Sequence, residues 1–302
     1  MKVLAYGATG SQGGPVAQKL LDAGHDVRVL TRRPEGARGL AERGAEVVAG
    51  DMGDPESLAR ASEGVDAVSL LVPFFTERPT DGAVYGRNAV DAAKAAGAKL
   101  LVWNPSGEIP PARSGNPGFD VRLDVLDHLG ASGLPYVVLQ PTAYMENFLG
   151  PWTREEVAEA DTFAYPTPNE VTMQWTATED VAAFMVYALE HPELAPLNLK
   201  VSGPEALSGE GVAASFSQAL GRPIRFRAMS PDEFGQKLDA VFPGMGEAAA
   251  AGYRMAYEHP ERFSSNVDIG AALDKLPVQL TTLEAWVRAR AGAFSKTPET
   301  AR

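Results

Sequence analysis

The chain has 302 residues, 45% of them hydrophobic and 22% charged, a globular composition long enough for one large domain or one domain with a smaller partner. It contains no cysteine, which excludes disulfides, zinc–thiolate and iron–sulfur sites and cysteine nucleophiles, and fits a cytoplasmic setting. Its formal net charge is −12 and its basic residues form nothing longer than pairs such as Arg32-Arg33, which argues against nucleic acid as a partner.

In chain order, Val3 to Tyr6 reads as a strand that runs straight into the glycine loop Gly7-Ala8-Thr9-Gly10-Ser11-Gln12-Gly13. A helix follows from about Gly14, with Pro15 in its first turn, where backbone N–H groups lack helical partners anyway. Val27 to Leu30 is the next strand, then a short helix to Gly44, then the strand Glu46 to Ala49. Pro55 to Glu63 reads as a helix and Ala67 to Val72 as a nearly all-apolar strand, as expected for a parallel strand buried on both faces. Asp81 to Ala96, Leu100 to Trp103, Asp120 to Ser132 and Tyr136 to Leu139 continue the helix–strand rhythm. The pattern predicts an α/β Rossmann fold, a doubly wound parallel sheet. The apolar stretch from Ala67 to Phe75 is interrupted by Ser69 and Pro73 and falls well short of the roughly 20 residues of a membrane span, so neither a signal peptide nor a membrane partner is expected.

Beyond Gln140-Pro141 the rhythm breaks at Pro151, Pro166, Pro168 and the Gly/Pro-rich stretch 203–211. Thr178 to His191 reads as a helix with Thr178 as its N-cap, and Leu197 to Val201 as a further strand. Ser230-Pro231-Asp232-Glu233 and Thr281-Thr282-Leu283-Glu284 each carry the spacing of a capping box. Only the tail from Ser295 reads as unstructured.

A glycine loop that follows a strand and opens a helix has the context of a dinucleotide site. The turn needs residues without Cβ, and the helix N-terminus offers N–H groups and positive dipole to a pyrophosphate. Gly7, Thr9, Gly10, Ser11, Gln12 and Gly13 are therefore expected to hold the cofactor. About 20 residues on, an NAD site usually carries Asp or Glu for the ribose hydroxyls; here Thr31-Arg32-Arg33 stands instead. A guanidinium can bind a 2′-phosphate that an acid would repel, so NADP(H) is the expected cofactor, through Arg32 and Arg33, unless both are merely solvated surface charges. Asp51 ends the third strand, where it can accept from the adenine amino group or cap the turn Gly50 to Asp54. Met52, Val72, Pro73, Asn104 and Pro141, all at C-terminal strand ends, complete the expected cofactor contacts.

The segments Gly7 to Gly14, Val27 to Arg33, Gly44 to Asp51 and Gln140 to Phe148, with Phe242-Pro243-Gly244-Met245 ahead of Tyr253, Tyr257 and Pro260, resemble the NmrA-like branch of the atypical short-chain dehydrogenase/reductases. The resemblance covers most of the chain. It implies an NADP-binding Rossmann domain over 1–150, to which 175–203 returns, and a small, mainly helical substrate-side subdomain over 151–174 and 204–302, with the substrate cleft between them. Relatives include NADPH-dependent quinone, dye and lignan-type reductases, and also regulators that bind NADP without known turnover.

The Tyr-x-x-x-Lys pair of conventional short-chain dehydrogenases is absent: Tyr85, Tyr136, Tyr144 and Tyr253 are followed four positions on by Ala89, Gln140, Phe148 and Tyr257. Where NmrA-like reductases often place a lysine, early in the helix after the fifth strand, this sequence has Arg122, which shares a stripe with Val125 and Leu129. Arginine stays protonated, so it can bind the nicotinamide ribose or polarise a carbonyl but cannot act as a base; an interhelical salt bridge is the structural alternative. Ser106 and Tyr144 are the hydroxyls expected near the nicotinamide, and Arg122, Ser106 and Tyr144 form the expected catalytic set. Phe74, Phe75, Phe148 and Tyr253 are expected to line the substrate pocket, although Phe74 and Phe75 can equally be plain packing.

No His-x-x-x-His, G-x-S-x-G or acidic cluster appears, so no metal is expected. Two functions remain. One is an NADPH-dependent oxidoreductase acting on a small planar electrophile such as a quinone, enone or dye. The other is an NADP(H)-binding redox sensor without turnover. A small-molecule substrate is the expected partner, and a homo-oligomer or a regulatory protein partner is left open.

Overall fold

The computed structural model describes residues 1–73, 78, 80–113, 115 and 117–296. Six strands alternate with helices in the N-terminal half: β1 (Lys2–Ala5), β2 (Asp26–Thr31), β3 (Glu46–Ala49), β4 (Ala67–Leu71), β5 (Leu100–Asn104) and β6 (Tyr136–Pro141). The intervening helices are α1 (Gly13–Asp22), α2 (Arg38–Glu42), α3 (Pro55–Ser62), α4 (Asp81–Ala95) and α5 (Pro117–Ser132). With the strand Leu197–Val201 at its edge, the sheet has seven strands in the order Leu197–Val201, β6, β5, β4, β1, β2, β3, every pairing parallel. This is the doubly wound Rossmann topology. The chain leaves β1 toward β2 and β3 and returns to build β4 on β1's other side, so the loop after β1 opens at the switch point where such sheets bind ligands.

Local chemistry explains the strands. Val3, Leu4 and Ala5 of β1 and every residue of β5 are buried, which requires the continuous apolar runs the sequence supplies. Gly86 of α4 lets α5 approach closely, since a Cβ there would lie 2.4 Å from Val125. The start of β3 is pinned by Glu46, which pairs with Lys2 (2.9 Å) and with the buried Arg28 of β2 (3.0 Å). Hydrogen bonds from those two cations hold the Glu46 carboxyl below its usual range. Arg28 also donates to the carbonyls of Ala61 and Glu63, satisfying the end of α3.

The chain divides into two compact units. One comprises Met1–Pro141, Thr178–Val201 and Gly270–Gln279; the other comprises Thr142–Ala177, Ser202–Ile269 and the chain from Leu280 onward. In the second unit a short strand, Ala143–Tyr144, pairs with Met173–Thr176, which also pairs with Ala206–Leu207; Thr162–Tyr165 pairs with Arg225–Ala228. Its core is aromatic. Phe148 lies at the centre, with ring centroids 4.4 Å from Trp175, 5.2 Å from Phe163 and 5.8 Å from Phe216.

Two caps differ from the sequence reading. Thr178 is the first helical residue of Thr178–Glu190, not its cap. Thr282, not Thr281, caps Leu283–Ala289, accepting from Ala285 N–H. Ser230 does cap the helix Pro231–Asp239, but the Glu233 carboxylate pairs with Arg227 at 2.9 Å. Among the described residues no helix is long and apolar enough to cross a membrane.

Candidate cofactor and active site

The glycine loop is held by its own backbone. Gly7 adopts φ +68°, Gly10 N–H donates to Gly7 O (2.9 Å), and Gly14 N–H donates to Gly10 O (2.9 Å). The three key glycines differ in what they serve. A Cβ on Gly13 would lie 2.4 Å from Gly7 O, so the turn itself forbids it, and one on Gly7 would lie 2.8 Å from the Leu71 side chain of β4. A Cβ on Gly10 would meet only Gly7 O, at 3.3 Å, a milder contact than either of those. Packing therefore demands a glycine less at Gly10 than at Gly7 or Gly13. Thr9, Gly10 and Ser11 form the exposed lip of the loop, and the first turn of α1 carries no acidic side chain to compete with an anion.

At the other end of the expected cofactor track, β2 and β3 are paired as far as Thr31 and Ala49, and Gly50 N–H donates to Thr31 O (3.1 Å). Arg32 and Asp51 leave these two strand ends side by side, with Arg32 Nε 3.9 Å from Asp51 Oδ2. Arg33 is exposed, its N–H donating to Thr31 Oγ1 (3.2 Å). Asp51 Oδ1 accepts from Gly53 N–H (2.6 Å), so one carboxylate oxygen caps the turn and the other faces Arg32. Met52 packs against the core of the sheet while its carbonyl accepts from Asn88 Nδ2 (3.0 Å).

The ends of β4, β5 and β6 supply the rest of this unit's residues. Val72 is buried and Pro73 exposed; Phe74 and Phe75, expected to line the substrate pocket, lie outside the described residues. Pro141 is buried at the end of β6, in register with Val201. After β5 the chain turns through Asn104, Pro105, Ser106 and Gly107, with Ser106 at φ +56°. A non-glycine residue in that region is strained and persists only where its surroundings fix it. Here they do. Buried Asn104 accepts from Ser106 N–H through Oδ1 (2.7 Å), Gln12 Nε2 donates to Ser106 Oγ (2.7 Å), and Asn104 Nδ2 donates to Gln12 Oε1 (3.4 Å). From α5, half-buried Arg122 donates through Nε to Pro105 O (2.8 Å). Gln12, expected only as a cofactor contact, thus ties the glycine loop to the β5 turn. Nothing in the periodicity of the sequence marks this link, because its partners are 94 residues apart.

The remaining site candidates belong to the second unit. Tyr144 is buried on the short strand Ala143–Tyr144. Phe148, expected to line the substrate pocket, is 0% exposed inside the aromatic core, so the sequence reading is corrected there: a fully enclosed ring is a packing group. Tyr253 and Tyr165 share a hydroxyl–hydroxyl hydrogen bond of 2.8 Å. Burial pushes both phenols above their ordinary range, so both are protonated at neutral pH. Among the described residues no group of His, Cys, Asp or Glu could hold a metal ion.

Comparison with known proteins agrees with this architecture. An NAD(P)H azoreductase of Xenophilus azovorans is 30% identical over 297 residues, covering 97% of this chain and 99% of that protein. The triphenylmethane reductase of Citrobacter sp. superimposes with a TM-score of 0.81 at 23% identity, covering 97% of this chain and 99% of its own. An NADPH-dependent quinone oxidoreductase of Escherichia coli, solved with NADPH, gives a TM-score of 0.78 at 23% identity, covering 97% of this chain and 100% of its own. The sequence profile of the NmrA-like family matches residues 1–287, and the chain belongs to that family.

Proposed function

We propose that the protein is an NADPH-dependent oxidoreductase that reduces a small planar electrophile of the quinone, enone or dye type. The observation that carries the reading is the glycine loop: close contacts call for glycine at Gly7 and Gly13, while Gly10, exposed at the start of α1, is the glycine that packing demands least. The phosphates belong there, and the 2′-phosphate belongs beside Arg32 and Arg33 at the end of β2. The azoreductase relative and the quinone and dye reductases of the same fold support the substrate class.

NADPH supplies the hydride when bound. The chain's own residues orient the reactants and deliver a proton. Asn104 and Gln12 hold Ser106 with its hydroxyl fixed at the C-terminal end of β5, where Ser106 serves as the proton donor to the reduced substrate. Overall a hydride adds to the electrophile, joined by one proton where the acceptor is a neutral quinone, enone or azo compound and by none where it is a cationic dye, so NADP+ and the two-electron-reduced product leave. Arg122 acts through the Pro105 carbonyl and is a positioning residue in this scheme.

Turnover tests the function directly. With a panel of quinones, an azo dye and a triphenylmethane dye, the protein should oxidise NADPH with at least one member, and binding without consumption across the panel would leave a redox sensor instead. Arg122 gives a second check. Arg122→Ala removes a charge-assisted bond of roughly 1.5–3 kcal/mol, of which the part that fixes the turn should lower kcat about tenfold. Arg122→Lys should restore most of the rate without changing its pH profile. Increased turnover with a new pH-dependent limb in Arg122→Lys would mean that catalysis wants a titratable amine. Normal turnover in Arg122→Ala would remove the residue from the site.

A further inference from the structure

The geometry at the ends of β2 and β3 points to Asp51 as a residue that sets cofactor specificity: we infer that its carboxylate holds down the preference for NADPH over NADH. The inference rests on the NADP(H) reading of the site proposed above.

Three observations carry it. First, the carboxylate is anchored. Asp51 N–H donates to Ser57 Oγ (3.1 Å), and Asp51 Oδ1 accepts from Gly53 N–H (2.6 Å), so the group cannot swing away from the strand end without breaking its turn. Second, sheet pairing through Thr31 and Ala49 fixes the two strand ends next to each other, and the free oxygen, Oδ2, lies 3.9 Å from Arg32 Nε. Third, the Arg32 side chain is 76% exposed and Asp51 43%, so the pair is loose and open to a ligand phosphate from solvent.

A 2′-phosphate bound by Arg32 must share that guanidinium with an anchored carboxylate. The phosphate carries close to two negative charges, and Asp51 adds another within a few ångströms of the same cation. NADH asks nothing of the pair, because a ribose hydroxyl brings no charge to it. The two arginines attract the phosphate and Asp51 opposes it, so the preference is smaller than Thr31-Arg32-Arg33 alone would give.

The effect is isolated by the ratio of dissociation constants for NADH and NADPH. Any contact Asp51 makes with the adenine is common to both cofactors and cancels. Asp51→Asn keeps an acceptor for Gly53 N–H and removes the charge; Asp51→Ser does the same with a shorter group and guards against a misplaced amide. In both variants the ratio should rise in favour of NADPH by about five- to tenfold at low ionic strength, where screening is weakest. An unchanged ratio, or one shifted toward NADH, with both cofactors still bound, would overturn the role of Asp51 and leave the cofactor reading standing. Failure of the unsubstituted protein to bind either nucleotide would overturn both.

Discussion

Gly10→Val is expected to weaken NADPH binding at least about a hundredfold while the protein keeps its fold, because the pyrophosphate loses its approach to the backbone N–H groups at the start of α1. The structure separates the two demands on the loop. A Cβ at Gly10 meets only Gly7 O, at 3.3 Å, whereas one at Gly13 would lie 2.4 Å from the same oxygen. Gly10→Val should therefore melt close to the unsubstituted protein and fail in nucleotide titrations. Gly13→Ala should lose both properties, since the entry of α1 must move. Near-normal NADPH affinity in Gly10→Val would mean that the cofactor does not cross this loop.

Arg32→Ala should reduce the preference for NADPH over NADH by about tenfold. A charge-assisted bond to phosphate is worth roughly 1.5–3 kcal/mol, and the exposure of the Arg32 side chain places this one at the low end after solvent screening. The exposed neighbour Arg33 retains part of the attraction, so the preference should fall without vanishing. NADH affinity serves as the internal control. Equal affinities for the two cofactors in the unsubstituted protein would contradict the assignment of these arginines to the 2′-phosphate.

The sheet was legible because parallel strands buried on both faces require unbroken apolar runs, and Val3 to Tyr6, Ala67 to Val72 and Leu100 to Trp103 have that pattern. The glycine loop was legible for a similar reason: φ +68° at Gly7 favours glycine, and the 2.4 Å approach of a Cβ to Gly7 O at Gly13 requires it. The second unit was harder to read. Thr162–Tyr165, Met173–Thr176 and Arg225–Ala228 have four residues each, too few for a period to stand out, and they are separated by prolines and glycines. Phe148 stands in a family-like segment, yet its surroundings are made by Phe163, Trp175 and Phe216, residues whose nearness no local pattern records. The same limit hid the Gln12–Ser106 bond. Asp51 was legible as a choice between turn cap and ligand group, and the observed cap uses only one of its two oxygens.

Hydride transfer is followed with NADPH deuterated on the transferring face of C4 during reaction with a quinone or dye. The expected result is one NADP+ formed for each substrate molecule reduced, loss of the deuterium from the cofactor, a slower rate than with unlabelled NADPH, and no reaction in Gly10→Val. NADPH that binds to the unsubstituted protein and keeps its deuterium in the presence of every substrate tried would contradict the oxidoreductase reading.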